Sequence, residues 1–361
     1  MVTHVKVEGF KSLASVDVAL GPLNVLIGAN GSGKSNFLAF FDFLLAVNRG
    51  GLAFEVAKGG GVNGFLHFGR QRTSSLSWDV EFGGDNSRYT ATLAPASGET
   101  FVFEREVASL RGAGRAQGVG HTESKLRAPA TAGQHVTDAI ARELDRIAVY
   151  HFHDTGVNSP FHQPSSAELR HARLRKHGDN LSGFLYQLRR LSPKRYRVLT
   201  RAITSIAPYF ADFDWETLGN GKVSLVWRSR YGDEVFRFPD FSDGTQRFIA
   251  LCCVFLQDDL PGTIVIDEPE LGLHPTAVAK LVGLMRSAVG RDAQVIAATQ
   301  STGLIDYFTP EEVVTTDQVK GATTFGRLDG AALASWLDQY SLGDLWGQHI
   351  IEAAQVEAPN D

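Results

Sequence analysis

The sequence predicts an α/β fold built on a phosphate-binding loop, and three stretches carry that expectation. Residues 23–40, LNVLIGANGSGKSNFLAF, read as a buried strand, a glycine-rich turn and the start of a helix. Residues 263–270, TIVIDEPE, read as a second apolar strand that ends in two carboxylates. Strand-like segments at 75–82, 88–94 and 100–107 are separated by the turn signals Gly83-Gly84-Asp85-Asn86 and Pro95-Ala96-Ser97-Gly98. They predict an antiparallel β-lobe added to the core.

The first stretch is the most informative. Gly28-Ala29-Asn30-Gly31-Ser32-Gly33-Lys34-Ser35 fits G-x-x-x-x-G-K-[ST], and each fixed position has a physical reason. Glycines let successive N–H groups turn inward toward a triphosphate where a Cβ would obstruct them. Lys34 brings a point charge to the β- and γ-phosphates, Ser35 offers a hydroxyl to Mg²⁺, and the following helix directs its positive end at the anion. A glycine-rich turn can match this pattern by accident in a chain with 37 glycines. The context argues against accident: Leu23, Val25, Leu26 and Ile27 form a short apolar run, and Phe37, Leu38, Phe40, Phe41 and Leu44 give the next segment an apolar helical face. ATP with Mg²⁺ is the expected cofactor.

Composition narrows the class. Over 361 residues, 43% are hydrophobic and 21% charged, with a formal net charge of −5, so any basic surface must be local. The start, MVTHVKVEGFKSL, lacks the apolar core of a signal peptide, and no run of 18 apolar residues occurs, which predicts a cytoplasmic protein without a membrane partner. The two cysteines, Cys252 and Cys253, are adjacent in an apolar helix-like stretch and read as small buried side chains.

In chain order, Val5 and Val7, then Val16, Val18 and Leu20, alternate with polar neighbours as in half-buried strands, with Phe10-Lys11-Ser12 between them. Residues 49–64 are rich in glycine and read as a loop. Residues 111–134 have few large apolar side chains to offset the entropy of ordering and read as a mobile loop. IAVYHF at 147–152 resumes the core. The expected organisation is an N-terminal lobe over 1–110, the loop over 111–134, a core strand and coupling loop over 135–165, a basic helical insertion over 166–207 and a C-terminal lobe over 208–361. The insertion carries ten Lys or Arg between Arg170 and Arg201 against one acid, Asp179, leaving 35 − 10 = 25 bases and 40 − 1 = 39 acids elsewhere. Such a cluster fits DNA, because phosphate neutralisation supplies non-specific affinity. It equally fits a solvated face, or one that pairs with acids of a partner or of this chain.

In TIVIDEPE, Asp267 is placed to hold Mg²⁺ and Glu268 to orient and deprotonate the attacking water. An acidic pair closing a strand means little alone and much beside an intact phosphate loop. Upstream, Phe241-Ser242-Asp243-Gly244-Thr245-Gln246 precedes an apolar helix. Ser242 reads as its N-cap; the same helix start with a free hydroxyl and a glycine is also an anion site, suited to another subunit's nucleotide.

The order of phosphate loop, SDG-type signature, IDEPELGLHP and the later ATQS resembles the ABC-type ATPase heads of the RecF, SMC and overcoming-lysogenization-defect (OLD) class, and the bacterial AAA-family, RecF-like ATPases. YHFHDTG at 150–156, DNLSGFLYQLR at 179–189 and SLGDLWGQ at 341–348 resemble that group too. The resemblance implies a P-loop NTPase: an ABC-ATPase-like head with an antiparallel β-lobe and a helical insertion. It implies two subunits sandwiching two ATP molecules, with Ser242 and Gly244 acting in trans on the γ-phosphate. By the same resemblance Lys11 and Ser12 lie near the nucleotide base, Asn30, Gly31, Ser32, Gly33, Lys34, Ser35 and Asn36 form the phosphate site, and Ser35 and Asp267 serve the metal. His153 and Asp154 fall where relatives usually couple nucleotide state to the attached lobe through Gln, and His274 falls where transporters usually have Asp.

Two functions follow. One is an ATPase that dimerises around ATP and acts in DNA maintenance or phage defence; the other is an ATP-gated scaffold, as a homodimer or higher homo-oligomer, that holds or releases a separate effector protein. Gln300, in Ala297-Ala298-Thr299-Gln300-Ser301, stands where many relatives have a His that contacts the γ-phosphate. Its amide donates a hydrogen bond but cannot become a cation. Gln300→His is therefore expected to raise the ATPase rate more than it tightens ATP binding, as measured by steady-state turnover beside nucleotide titration. An unchanged or lower rate in a folded variant would remove Gln300 as the limiting group.

Overall fold

The computed structural model describes residues 1–83, 86–128, 134–168 and 173–351. The chain divides into two compact units, residues 1–149, 262–265 and 294–361 in the first and 150–261 and 266–293 in the second.

The first unit opens with β1 (Val2–Phe10), β2 (Leu13–Ala19) and β3 (Leu23–Ile27), followed by α1 (Lys34–Asn48) and α2 (Leu52–Lys58). Then come β4 (Leu76–Phe82), β5 (Ser87–Ala96), β6 (Thr100–Leu110) and β7 (Ala113–Ala116), and α3 (Gln134–Asp145) leads into β8 (Ile147–Tyr150). The second unit contains β9 (Ser165–Ser166), α4 (Leu181–Leu191), α5 (Pro193–Thr204), β10 (Phe210–Thr217), β11 (Lys222–Ser229), β12 (Val235–Arg237) and α6 (Asp243–Leu256). β13 (Thr263–Asp267) begins in the first unit and ends in the second, which closes with α7 (Pro275–Val289). The first unit resumes with β14 (Gln294–Thr299), α8 (Thr302–Ile305), β15 (Val313–Val319), β16 (Ala322–Arg327), α9 (Gly330–Leu337) and α10 (Leu342–Gly347).

Among the described residues three sheets form, ordered β2-β1-β4-β5-β6-β7, β10-β11-β12 with β9 on β11, and β16-β15-β3-β14-β13-β8. In the first, the alternation read at Val5 and Val7 becomes an antiparallel register of Val5 with Val18 and Val80, and of Val7 with Val16 and Trp78. This buried face closes on the phenylalanines of α1: Phe43 lies 5.5 Å from Phe10 and 5.9 Å from Trp78, ring to ring. Each such pair adds roughly 0.5–1.5 kcal/mol beyond area burial. In the third sheet β3 is buried at all five positions and lies parallel to both β14 and β15. A strand covered on both faces has no use for alternation, which is why 23–27 is apolar at every position but Asn24, whose buried amide is bonded to Gly21. In the second unit the aromatic rings of Phe236 and Phe241 stack on Trp227 at 4.5 and 4.4 Å. Cys252 and Cys253 are fully buried in α6, and burial pushes both thiols up.

Several expectations are corrected. Residues 49–64 are not a plain loop, because α2 forms there, its Leu52 and Val56 buried and its first N–H groups, from Leu52 and Ala53, bonded to the Glu123 carboxylate at 2.9 Å each. The segment 111–134 was expected as a loop, yet its described part is built into the lobe. It supplies β7, places Leu126 in the core and stacks His121 on Phe103 at 4.6 Å. Residues 129–133 lie outside the described residues, as do Gly84 and Asp85 of the turn signal and Arg170 of the basic cluster. Among the described residues, the 166–207 stretch is helical only from Leu181 onward, with Ser166 in β9. Polar content suggested a loop at 111–134 because nothing in the segment itself shows that the buried carboxylate of Glu106, on β6, accepts from its Ser124 and Lys125.

Glu106 is 1% exposed and accepts from the Tyr89 hydroxyl at 2.8 Å, from the Ser124 hydroxyl, and from the Lys125 N–H at 3.0 Å. Burial, and then the Glu106 charge, raise the Tyr89 phenol well above its ordinary range. Glu106→Ala leaves buried donors without an acceptor and is expected to destabilise the lobe by about 2–4 kcal/mol, with Glu106→Gln milder, in urea unfolding. Equal stability of the alanine variant and wild type would refute this role.

Candidate nucleotide site

In the first unit, β3 delivers the chain to Gly28 and the loop turns through Gly31 (φ 80°) and Gly33 (φ 105°), backbone values that side chains with a Cβ rarely adopt. A Cβ on Gly31 would meet nothing within 4 Å, so this side of the loop is open. Asn30, Gly31 and Ser35 are exposed, whereas Ser32 and Lys34 are buried. The Lys34 ammonium donates to the carbonyls of Gly28 at 2.7 Å and Ala29 at 3.0 Å, which holds its charge inside the loop. α1 starts at Lys34 with Gly33 as N-cap, no side-chain cap and no acid in its own first turn, so the helix itself places no negative charge at its positive end. An open glycine turn, an internal ammonium and an uncapped helix start fit a phosphate chain. The exposed Ser35 hydroxyl is the kind of hard oxygen donor that Mg²⁺ takes.

The structure brings Lys11, Ser12 and Asn36 together. Asn36 Nδ2 donates to Ser12 Oγ at 2.8 Å, and all three line a cavity of about 970 Å³ with His67, Phe68 and Gln318. Lys11 sits in the left-handed region (φ 48°), and burial lowers its pKa while Glu55 and Asp42 oppose that shift. Phe68 is also left-handed (φ 55°) and 65% exposed, an unusual setting for a large ring. Gln300 follows Thr299, which pairs with Ile27, so Gln300 and the start of the phosphate loop leave neighbouring parallel strands at the same end. Ligands in parallel sheets bind at that edge. Ser301, next in sequence, caps α8 by accepting from Leu304 N at 3.2 Å.

In the second unit, Asp267 ends β13 and Glu268 takes a left-handed backbone (φ 44°). Such a conformation costs on the order of 1–3 kcal/mol and persists only where surroundings enforce it. Near it, Arg247 on α6 ties the surrounding chain: its guanidinium donates to the carbonyls of Phe152 (3.1 Å), His153 (2.8 Å) and Leu271 (3.3 Å). One planar fork thus ties the signature helix to the 152–153 loop and to the turn after Glu268. Ser242 is the N-cap of α6, accepting from Thr245 N at 3.3 Å. Gly244 lies against the 272–273 backbone, where an added Cβ would fall 2.2 Å from the Gly272 carbonyl oxygen. Asp154 closes a local turn by accepting from Gly156 N at 3.0 Å, and His274 caps α7 through Nδ1, accepting from Thr276 N at 3.3 Å, a task an Asp performs equally well.

Sequence reasoning missed Phe68, Gln318 and Arg247, and also Thr316 and Thr323, which pack on the phosphate loop. Only the glycines around Phe68 gave any signal. The basic cluster looks different once folded: Arg173 pairs with Asp259 (2.7 Å), Arg195 with Asp258 (2.6 Å), Arg189 with Asp212 (3.6 Å) and Arg175 with Asp179 (2.8 Å). Counting charge in a window could not see the acids at 212, 258 and 259. Among the described residues, no helix is long and apolar enough to cross a membrane, and no group of three or more His, Cys, Asp or Glu is arranged to hold a metal.

A sheet whose central β3 runs parallel to both neighbours and carries this loop at its carboxyl end, beside an antiparallel lobe, defines a P-loop nucleotide-binding ATPase fold of the SMC-head type. Residues 23–306 match the family described as "AAA domain, putative AbiEii toxin, Type IV TA system", and the chain belongs to that family. It is similar in fold to an Smc head crystallised with the C-winged helix domain of ScpA, with TM-score 0.63 and 17% identity over 92% of this chain and 99% of that one. It is also similar to an Smc head with an extended coiled coil bound to the C-terminal domain of ScpA, derived from Pyrococcus furiosus, with TM-score 0.59 and 14% identity over 94% and 98%. No curated protein matches the sequence.

The Gly244 contact gives a direct test. Gly244→Ala is expected to destabilise the protein by about 1–3 kcal/mol through overpacking against a backbone carbonyl, and Ser242→Ala by about 1 kcal/mol through loss of the cap. Thermal unfolding with hydrogen exchange at the start of α6 measures both; wild-type stability in Gly244→Ala would refute the close approach.

Proposed function

We propose that the chain binds ATP with Mg²⁺ and hydrolyses it, working in the cytoplasm as one half of a dimer that closes around two nucleotides. The observation that carries this is the open phosphate loop with its internal Lys34 and uncapped helix. In this reading Lys34 neutralises the β- and γ-phosphates, Ser35 and Asp267 hold Mg²⁺, and Glu268 deprotonates the attacking water. Gln300 donates a hydrogen bond to the γ-phosphate without adding charge, which predicts slow turnover. The base lies against Lys11 and Ser12 in the large cavity. Ser242 and Gly244 act across a two-fold interface, because each chain carries two anion-binding helix starts, near Ser35 and Ser242, and one phosphate loop.

For the biological role the first reading is DNA maintenance or phage defence, and the family's toxin–antitoxin description bears on the defence arm alone. A second reading, an ATP-gated scaffold for a separate effector, has its own support. α9, GAALASWL, buries none of its residues, and Trp336 is 44% exposed beside Tyr340. The Smc heads of similar fold were crystallised with ScpA domains. Direct DNA contact draws less support, since four arginines of the basic cluster are paired within the chain.

Lys34→Ala is expected to abolish ATP binding, and Glu268→Gln to keep ATP while losing hydrolysis. Glu268→Gln should double in mass with Mg-ATP in light scattering, and Ser242→Arg added to it should hold it at the single-subunit mass. Equal hydrolysis by wild type and Glu268→Gln overturns the catalytic assignment; a mass independent of ATP in both overturns the closed dimer.

A further inference from the structure

The C-terminal hairpin of β15 and β16 lies directly behind the phosphate loop. Its register pairs Thr316 with Phe325 and Gln318 with Thr323, and side chains two apart share a face, so Thr316, Gln318, Thr323 and Phe325 look the same way. Phe325 meets Phe37 of α1, ring centroids 5.0 Å apart. Thr323 Oγ1 donates to Ser12 Oγ at 2.7 Å, and the Thr323 N–H to the Ser12 carbonyl at 2.8 Å. Thr316 Oγ1 donates to the Ile27 carbonyl at 3.0 Å and lies 3.1 Å from Ser32 Oγ. Gln318 reaches the lining of the large cavity.

The glycines of the loop record the same closeness. A Cβ on Gly28 would fall 2.3 Å from Thr316 Oγ1 and from its carbonyl oxygen, and one on Gly33 would fall 1.8 Å from Thr323 Oγ1. Phosphate geometry is thus not the sole reason for glycine at these two positions: the hairpin occupies the volume a side chain would need. Thr316 and Thr323 are 1% and 2% exposed, so their hydroxyls have no solvent to fall back on.

We propose that Thr316 and Thr323 are positioning residues of the nucleotide site: from one face of the hairpin they fix both ends of the glycine loop, Thr316 through Ile27 and Ser32, Thr323 through Ser12 and, by way of Ser12, Asn36. The inference rests on the ATP-binding reading above. The loop owes its affinity to N–H groups held in place before the phosphates arrive, and an unpinned loop must be ordered at the moment of binding. Each hydroxyl contributes through geometry, not by touching nucleotide.

Thr316→Val and Thr323→Val keep the shape and remove the hydroxyl, whereas the serine variants keep the hydroxyl and remove a methyl group. Titration with Mg-ATP is expected to show about five- to tenfold weaker binding for each valine variant, equivalent to one hydrogen bond, and binding within about twofold of wild type for each serine variant. A role in fold alone would lower the melting temperature of the nucleotide-free protein without this valine–serine split in ATP affinity. Valine variants that bind like wild type, or serine variants as weak as valine, overturn the proposal. Where a valine variant does not fold, Ser12→Ala removes the acceptor of Thr323 from the other side, and unchanged ATP affinity there counts against the proposal. A wild-type protein that binds no ATP overturns the functional reading itself and this inference with it.

Discussion

The structure of the first unit depends on keeping a stretch of backbone free of side chains while everything around it is tightly packed. A phosphate chain is best held by N–H groups that point at it, and the loop from Gly28 to Gly33 leaves such groups available only because glycine tolerates positive φ at Gly31 and Gly33. A loop of this kind has little to hold itself in place. The neighbouring elements supply the rigidity: β3 is buried along its whole length, α1 is anchored by phenylalanines, and the β15–β16 hairpin presses on the loop from behind.

The antiparallel lobe serves the same end. Phe40 and Phe43 of α1 pack on Trp78 of β4, so the helix that begins at Lys34 is held along its length by a sheet formed largely from residues 76–116. The 117–128 segment adds polar fastenings: Glu123 holds the start of α2, and the Arg127 Nε donates to the Asn48 carbonyl at the end of α1 at 2.9 Å. Buried Glu106 holds that segment in turn. A chain of hydrogen bonds therefore runs from the lobe to the far end of the nucleotide helix.

The second unit applies a related economy to the residues after β13. Arg247 spends its rigid fork on three backbone carbonyls, and Phe241 stacks on Trp227 just before Ser242, so the signature helix starts from a fixed point. The left-handed Glu268 belongs to this tightly tied region. A left-handed backbone at a residue with a Cβ persists only where the surrounding chain is held.

The sequence by itself determined the parts whose physics is local. The phosphate loop is legible because glycine, lysine and serine at set spacing have a backbone reason to be there; β3 is legible as an apolar run; the strands of the first sheet are legible by alternation; and Ser242 is legible as a cap. Tertiary structure decided what depends on partners outside the segment being read. The 111–128 segment looked too polar to order until Glu106 stood behind it, the basic cluster looked unpaired until Asp212, Asp258 and Asp259 folded against it, and α2 looked like part of a glycine-rich loop until Glu123 met its first N–H groups. Thr316 and Thr323 follow the same rule: a threonine in a strand carries no sign of what its hydroxyl will touch, and only the folded hairpin brings these two against glycines nearly three hundred residues away in sequence.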